Sequence, residues 1–471
     1  MSDDQMNERS LPEGWVWTTL GKIGEYINGR AFKPSEWGQE GRPIIRIQNL
    51  TKSTSIVNRY SMPIEEKYII RDGELLISWS ATLGAFIYRG EEAVLNQHIF
   101  KVKSYINKMY LCYLVTAFLD DLKRQVHGSG MQHITKGKFD QSRVPLAPLP
   151  EQHRIVAAIE SHLTRLDVAV AALERVRRNL ARYKAAVLQA ACTGRLVPTD
   201  AALHPGDYEP ADVLLQRILQ ERRARWEVEH PGKHYPEPAS PDTDGLPELP
   251  VGWCWTNIGQ LKSFSLYGPR FSSDDYAEQG KLVLRTSDIS ESGKVNIATP
   301  PKLPLDDTQF AKYKCVIGDL LITRTGSLGT LAVFNDKVEA IPGAYLIQYR
   351  LAAPLITSWY VFYFLKSPKG QSCLVKSGAG VGRPNLNAPT IEGYLIPLPP
   401  LAEQHRIVAE VERRFSVIQE VETLVATNLA RAARLRQSIL KRAFEGRLVS
   451  QDPNDEPAGA LLARIKQATG G

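Results

Sequence analysis

The chain has 471 residues, 43% of them hydrophobic and 23% charged, with a formal net charge of +7, which is material for two to four globular domains with real cores. The longest apolar stretch, near Met109 to Leu119, is far too short to span a bilayer, and the opening MSDDQMNERS carries no apolar signal segment, so a soluble cytoplasmic protein is expected. Five cysteines, widely spaced and without a CxxC pair, suggest neither a disulfide framework nor a zinc site.

A polar tail (1–10) leads into LPEGWVWTTLGKI at Leu11. The region 11–150 is basic, with 18 Lys and Arg against 13 Asp and Glu. Within it Pro43 to Ile47 and Leu75 to Trp79 read as strands, and Met109 to Arg124 as a helix. PLAPLP then introduces a long apolar-periodic run, 151–197. Its stripe is Ile159, Leu163, Leu166, Val170, Leu173, Val176, Leu180, Tyr183 and Val187, at steps of three or four. An acidic linker, 198–245, holds a helical island from Pro210 to Glu229. LPVGWCWTNIGQL at Leu249 begins a second basic region, 246–402, with a strand at Leu320 to Thr323 and a helix at Thr357 to Leu365. PLPPLA leads into a second periodic run, 403–449, striped by Val411, Phe415, Ile418, Val421, Leu424, Ala432, Leu435 and Ile439. The tail 450–471 contains EPAGALLARI, an echo of EPADVLLQRI at Glu209.

The chain is therefore an internal repeat. Both long runs open on EQHRIVA and close on GRLV, and both ends are offset by 252 residues, whereas offsets inside the globular regions drift from 238 to 252. Length is constrained in the runs and free elsewhere. Glu151 and Glu403 suit a first helical turn, and Gly194 and Gly446 suit a C-terminal stop. Each run predicts one uninterrupted helix of roughly 65 Å, and a stripe that long needs a partner. The expected fold class is α+β: two mixed α/β globules separated by two long antiparallel helices, a coiled-coil spacer, with pseudo-two-fold symmetry. A rigid bar with a reader at each end suits two separated sites on a rod-like polymer, and DNA is the obvious rod.

The paired LPxGWxW openings, the strands GELLIS and GDLLIT each followed by a glycine turn, the proline-rich run into EQHRIV, and the long run ending in GRLV, all duplicated in that order, resemble the specificity subunits of type I restriction-modification enzymes over nearly the whole chain. The resemblance implies that each globule is a target recognition domain reading one half of a bipartite double-stranded DNA site, and that the helices set the gap and dock two methylation subunits. Two restriction and translocation subunits would complete the enzyme, and no membrane is involved. It implies no catalytic residue, metal or cofactor in this chain; S-adenosylmethionine, ATP and Mg2+ would belong to the partners. In agreement, no phosphate loop, Asn-Pro-Pro-aromatic motif, HExxH or nuclease-like cluster stands in the sequence. The rival from another class is a coiled-coil adaptor whose globules bind proteins.

Candidate base readers are polar residues that differ at matched places of the two copies. One group is Arg46, Gln48 and Asn49 against Arg285, Thr286, Ser287 and Asp288. A second is Ser78, Trp79 and Ser80 against Thr323, Arg324 and Thr325. The third lies in the glycine-rich loops GSGMQHITK and GVGRPNLNA, where Gln132, His133, Thr135 and Lys136 match Pro384, Asn385, Asn387 and Ala388, with Arg383 beside them as a further candidate. Arg favours guanine and Asn or Gln adenine through paired hydrogen bonds in the major groove, while phosphate contact or plain solvation is open to each of them. Trp15 with Trp17, and Trp253 with Trp255, alternate along a strand and are expected in the core. His153 and His405 lack a second ligand at metal spacing and read as structural or interface residues. The helix arginines Arg175, Arg177, Arg178, Arg182, Arg431, Arg434 and Arg436 read as a solvated face or partner surface.

Overall fold

The computed structural model describes residues 10–51, 56–80, 82–125, 135–325, 328–378 and 386–470. It divides into two compact units, Met1–Glu174 with Ala426–Gly471, and Arg175–Val425. Each contains one globule and part of each long helix.

In the first unit the strand Val16–Thr19 pairs antiparallel with Arg143–Leu146, so the globule is closed by its own two ends. Between them an antiparallel sheet runs in the order Gly24–Asn28, Ile99–Ser104, Leu75–Ser78, Gly84–Ile87. A second sheet holds Arg42–Ile45 parallel to Ala93–Leu95. Leu75 and Ile77 face the main core beside Tyr26 and Phe100, whereas Leu76 faces a second core with Ile45 and Leu95. A strand covered on both faces needs an unbroken apolar run, which is why LLI replaces the usual alternation. The second unit repeats the plan. Cys254–Asn257 pairs with Leu395–Leu398, the antiparallel sheet runs Lys262–Tyr267, Leu346–Leu351, Leu320–Thr323, Leu331–Val333, and Leu321 faces away from Leu320 and Ile322 into a separate core.

The long helices span Leu149–Ala191, 43 residues, and Leu401–Phe444, 44 residues. They stop short of the GRLV segments because Gly194 and Gly446 both take φ +65°. That left-handed turn lets Arg195 N–H reach the Ala190 carbonyl at 3.0 Å and Arg447 N–H the Arg442 carbonyl at 2.8 Å, capping the last turns. In the first unit the start of the first helix (Ile155, Ile159, Leu163) packs with the end of the second (Ile439, Leu440, Ala443). In the second, the end of the first (Val187, Leu188, Ala191) packs near the start of the second (Ile407, Val408, Val411). Both are what antiparallel pairing requires.

The stripe departs from the sequence expectation midway. Leu424 is 61% exposed and Leu435 48%, while Val425 is 5% exposed and Leu440 4%. The buried positions Val411, Ile418, Val425, Ala432 and Ile439 stand seven residues apart, so one heptad seam runs through Val425 and leaves Leu424 and Leu435 beside it.

The repeated motifs meet at one joint in each unit. Trp15 Nε1 donates to the Glu151 carboxylate at 2.8 Å and Trp253 Nε1 to Glu403 at 3.0 Å, and both carboxylates are buried. Gln152 Nε2 donates to the Ala147 carbonyl while its Oε1 accepts from Asn107 N–H; Gln404 does the same with Pro399 and Thr357. A Cβ on Gly446 would lie 2.1 Å from Pro12, and one on Gly194 2.5 Å from Pro250. The helices of the EPA echo start on the same openings, Ala458 N–H donating to Gly14 and Ala211 N–H to Gly252. LPxGW, EQ, GRLV and EPA are thus four sides of one socket that orients a globule on the helices. Burial pushes both Glu carboxyls above the usual carboxylate range, and the indole N–H bonds oppose that shift. Replacing Trp253 with Phe keeps the ring packing but strips Glu403 of a charge-assisted partner; a loss of about 1–3 kcal/mol is expected in chemical denaturation. An unchanged midpoint would mean that the indole bond contributes nothing.

Candidate nucleic-acid interface

In the first unit three segments are tied together at one end of the two sheets. Asn96 N–H donates to the Ile45 carbonyl at 3.1 Å, just before Arg46, and Trp79 N–H, just after Ser78, donates to the His98 carbonyl at 3.2 Å. The second unit has the same frame: Gly343 N–H donates to Leu284, just before Arg285, at 2.8 Å, and Arg324 N–H donates to Tyr345 at 3.0 Å. Glycine is required where the neighbouring strand passes beneath, since a Cβ on Gly29 would lie 2.1 Å from the Asn96 carbonyl oxygen and one on Gly268 2.0 Å from that of Gly343. The backbone is held alike in both units, and the side chains on it differ.

Arg46 and Arg285 occupy equivalent turns. The Asn49 side-chain oxygen accepts from Arg46 N–H at 3.0 Å, and Asp288 accepts from Arg285 N–H at 2.8 Å. The Arg46 guanidinium lies 5.0 Å from the Trp37 ring centre and bonds the Ile56 carbonyl. Arg285 is clamped by Asp288 through Nε and Nη2 and also reaches the Thr299 carbonyl. Burial alone would raise the Asp288 carboxyl, but the Arg285 hydrogen bonds hold it below its ordinary value. Gln48 and Ser287 are exposed between these anchors.

Several candidates serve the scaffold. Ser78 and Thr323 are fully buried, and their hydroxyls close matched hairpins by donating to the Thr82 carbonyl at 2.5 Å and the Thr330 carbonyl at 3.0 Å. Asp288 is buried in the Arg285 clamp, and Ser80 is buried too. A hydroxyl that must satisfy a strand end cannot also face a base; a polar residue flanking a strand in sequence carries no mark of which it does. Asn387 caps a short helix by accepting from Thr390 N–H at 2.9 Å, and Lys136 pairs with Asp140 at 2.7 Å beside the exposed Thr135. Arg324 lies 4.7 Å from the Tyr267 ring centre, with Thr325 beside it half-buried. Gln132, His133, Arg383 and Asn385 lie outside the described residues.

The sequence reading missed the aromatic residues of this surface: Trp37 and Tyr276, 39% and 37% exposed, and His98 and Tyr345 at the matched turn. Aligning the copies at offsets of 239 and 247 through the unmatched segments would have found them. Among the described residues no group of three His, Cys, Asp or Glu could hold a metal ion, and no helix is long and apolar enough to cross a membrane. The tryptophan pairs divide: Trp15 and Trp253 are buried, whereas Lys369 lies over the Trp255 ring and Arg143 over that of Trp17. His153 Nδ1 sits 3.1 Å from the Asn107 amide, a structural contact.

The family model described as type I restriction modification DNA specificity domain matches residues 12–174 and 267–421. The type I restriction enzyme EcoBI specificity subunit of Escherichia coli is 28% identical over 97% of this chain and 93% of its own length. The StySPI specificity subunit of Salmonella potsdam is 24% identical over 98% and 96%. A solved chain from a study of complex assembly and conformational transition of the type I R-M system shares the fold with a TM-score of 0.63 at 20% identity, covering 93% of this chain and 99% of that one. Twice-matched domains, two copies of one strand-end frame and full-length likeness to such subunits lead to one assignment: this chain belongs to the type I restriction-modification specificity subunits, the component that recognises DNA sequence.

Proposed function

We propose that each globule, bounded as 11–150 and 246–402, reads one half of a bipartite double-stranded DNA site, and that the two long helices fix the gap and dock two methylation subunits. Two restriction and translocation subunits complete the enzyme in the cytoplasm. The chain holds DNA and positions chemistry performed by those partners, which use S-adenosylmethionine, ATP and Mg2+. One observation carries this reading: two strand-end frames of the same hydrogen-bonding pattern present different polar and aromatic side chains, as two readers of different half-sites must. The candidates open to solvent in these frames are the exposed Gln48, Arg285 and Ser287 and the half-buried Arg46, Asn49, Arg324 and Thr325. Arginines suit guanine or phosphate, and Gln48 or Asn49 adenine.

Transplanting 246–400 from a relative of different specificity is expected to change one half-site and leave the other intact, as read by mapping methylated adenines in the host genome. Simultaneous change of both halves would overturn the two-reader reading. Steeply salt-dependent DNA affinity of the chain with its methylation subunits separates this function from a protein-binding adaptor.

A further inference from the structure

We propose that His98 in the first globule and Tyr345 in the second are specificity-determining residues, each presenting its side chain to a base-pair edge in the major groove of its own half-site. The inference rests on the two-reader function above and assigns matched residues to it.

Both residues occupy the turn that enters the sheet's second strand, Ile99–Ser104 in one unit and Leu346–Leu351 in the other. Both are fixed through the same atom, the carbonyl oxygen, which accepts from the residue after the neighbouring strand: Trp79 at 3.2 Å and Arg324 at 3.0 Å. The carbonyl is therefore satisfied alike in both units, while the backbone differs in φ and the side chain is an imidazole in one and a phenol in the other. Among the described residues His98 is the non-glycine residue with positive φ, +72°. An L-residue there is strained, and a position with no demand on its side chain would favour glycine. The imidazole is thus kept at a cost to the backbone. The half-buried ring meets Trp79 edge-on at 4.9 Å, which sets its plane, and its Nδ1 is buried with no hydrogen-bond partner among the described residues. Tyr345 is 49% exposed although the residues on either side of it in space, Leu346 and Arg324, belong to the packed frame. An oriented ring with donor and acceptor capacity, flanked by arginine-bearing turns that favour phosphate or guanine, is equipped to discriminate base edges. Such strain points from the observed backbone to a functional role.

His98→Gly tests this with opposite signs for structure and reading, because glycine relieves the positive φ while deleting the imidazole. The chain is assembled with its methylation subunits, and methylation rates are measured on duplexes in which every base pair of each half-site is varied. Expected results are an unchanged or raised melting temperature, discrimination at one or two pairs of one half-site falling roughly tenfold or more, and the other half-site unaltered. Tyr345→Ala is expected to give the reciprocal pattern in the other half-site. An unchanged base preference in either variant, or equal weakening at every position of both half-sites, would overturn the assignment. Absence of sequence preference in the unaltered complex would instead defeat the two-reader function itself, so the two failures are distinguishable.

Discussion

Four residues added to each long helix at the boundaries of the two units, between Glu174 and Arg175 and between Val425 and Ala426, lengthen the recognised gap by one base pair and leave the recognised bases unchanged. The positions matter because neither unit is altered internally and both helices run without interruption through them. Four helical residues add about 6 Å and a net turn of about 40°. On B-DNA that rotation corresponds to about one base pair, at roughly ten pairs per turn, while the translation alone corresponds to nearly two. Rotation dominates, because a reader facing the wrong side of the duplex reads nothing, whereas loops absorb a few ångströms. Seven residues in each helix would keep the apolar pattern in phase but ask for about three pairs with little net rotation, and weakened binding is expected. Mapping of methylated adenines decides it: an unaltered gap, or a changed base in either half, would refute the ruler.

Charge placed in the helix seam of both units, Leu166→Glu with Ile418→Glu, abolishes assembly with the methylation subunits while the globules stay folded. Ile418 is 2% exposed, and Leu166 lines a groove of about 350 Å³ with Ala169, Leu435 and Ile439. A carboxylate at buried Ile418 finds no water without parting the helices, at a cost of several kcal/mol, and one at half-buried Leu166 removes apolar packing from the groove at a smaller cost. The ion pairs Asp167 with Arg436 and Lys184 with Glu422 are surface contacts and cannot hold the seam alone. Size-exclusion chromatography of the co-expressed subunits, with circular dichroism of the variant, reads both halves of the expectation. A complex that still assembles normally would sink it.

The duplication, the two long helices and the strands Leu75–Ser78 and Leu320–Thr323 follow from the sequence itself. Helical and strand periods are local, and a repeat offset is read by counting. The helix ends were legible in the glycines, although the turn they force begins before GRLV. The same local signal could not choose between Leu424 and Val425, since both sit on the apolar side of a helix and burial depends on the surface it meets.

Polar residues were harder still. Ser78 and Thr323 look like ideal base readers beside a glycine turn, yet a buried strand end claims their hydroxyls. The recurrent Glu of EQHR looks like a helix-start carboxylate, and only the folded chain brings Trp15 to Glu151 across 136 residues and Trp253 to Glu403 across 150. The sequence by itself determined which segments are rigid and that they come in pairs, because backbone propensity and periodicity act over a few residues. Tertiary structure alone decided which side chains are consumed in sockets and which, like Tyr345, remain exposed, because a hydrogen bond or a buried face is a property of two segments that the chain order does not place together.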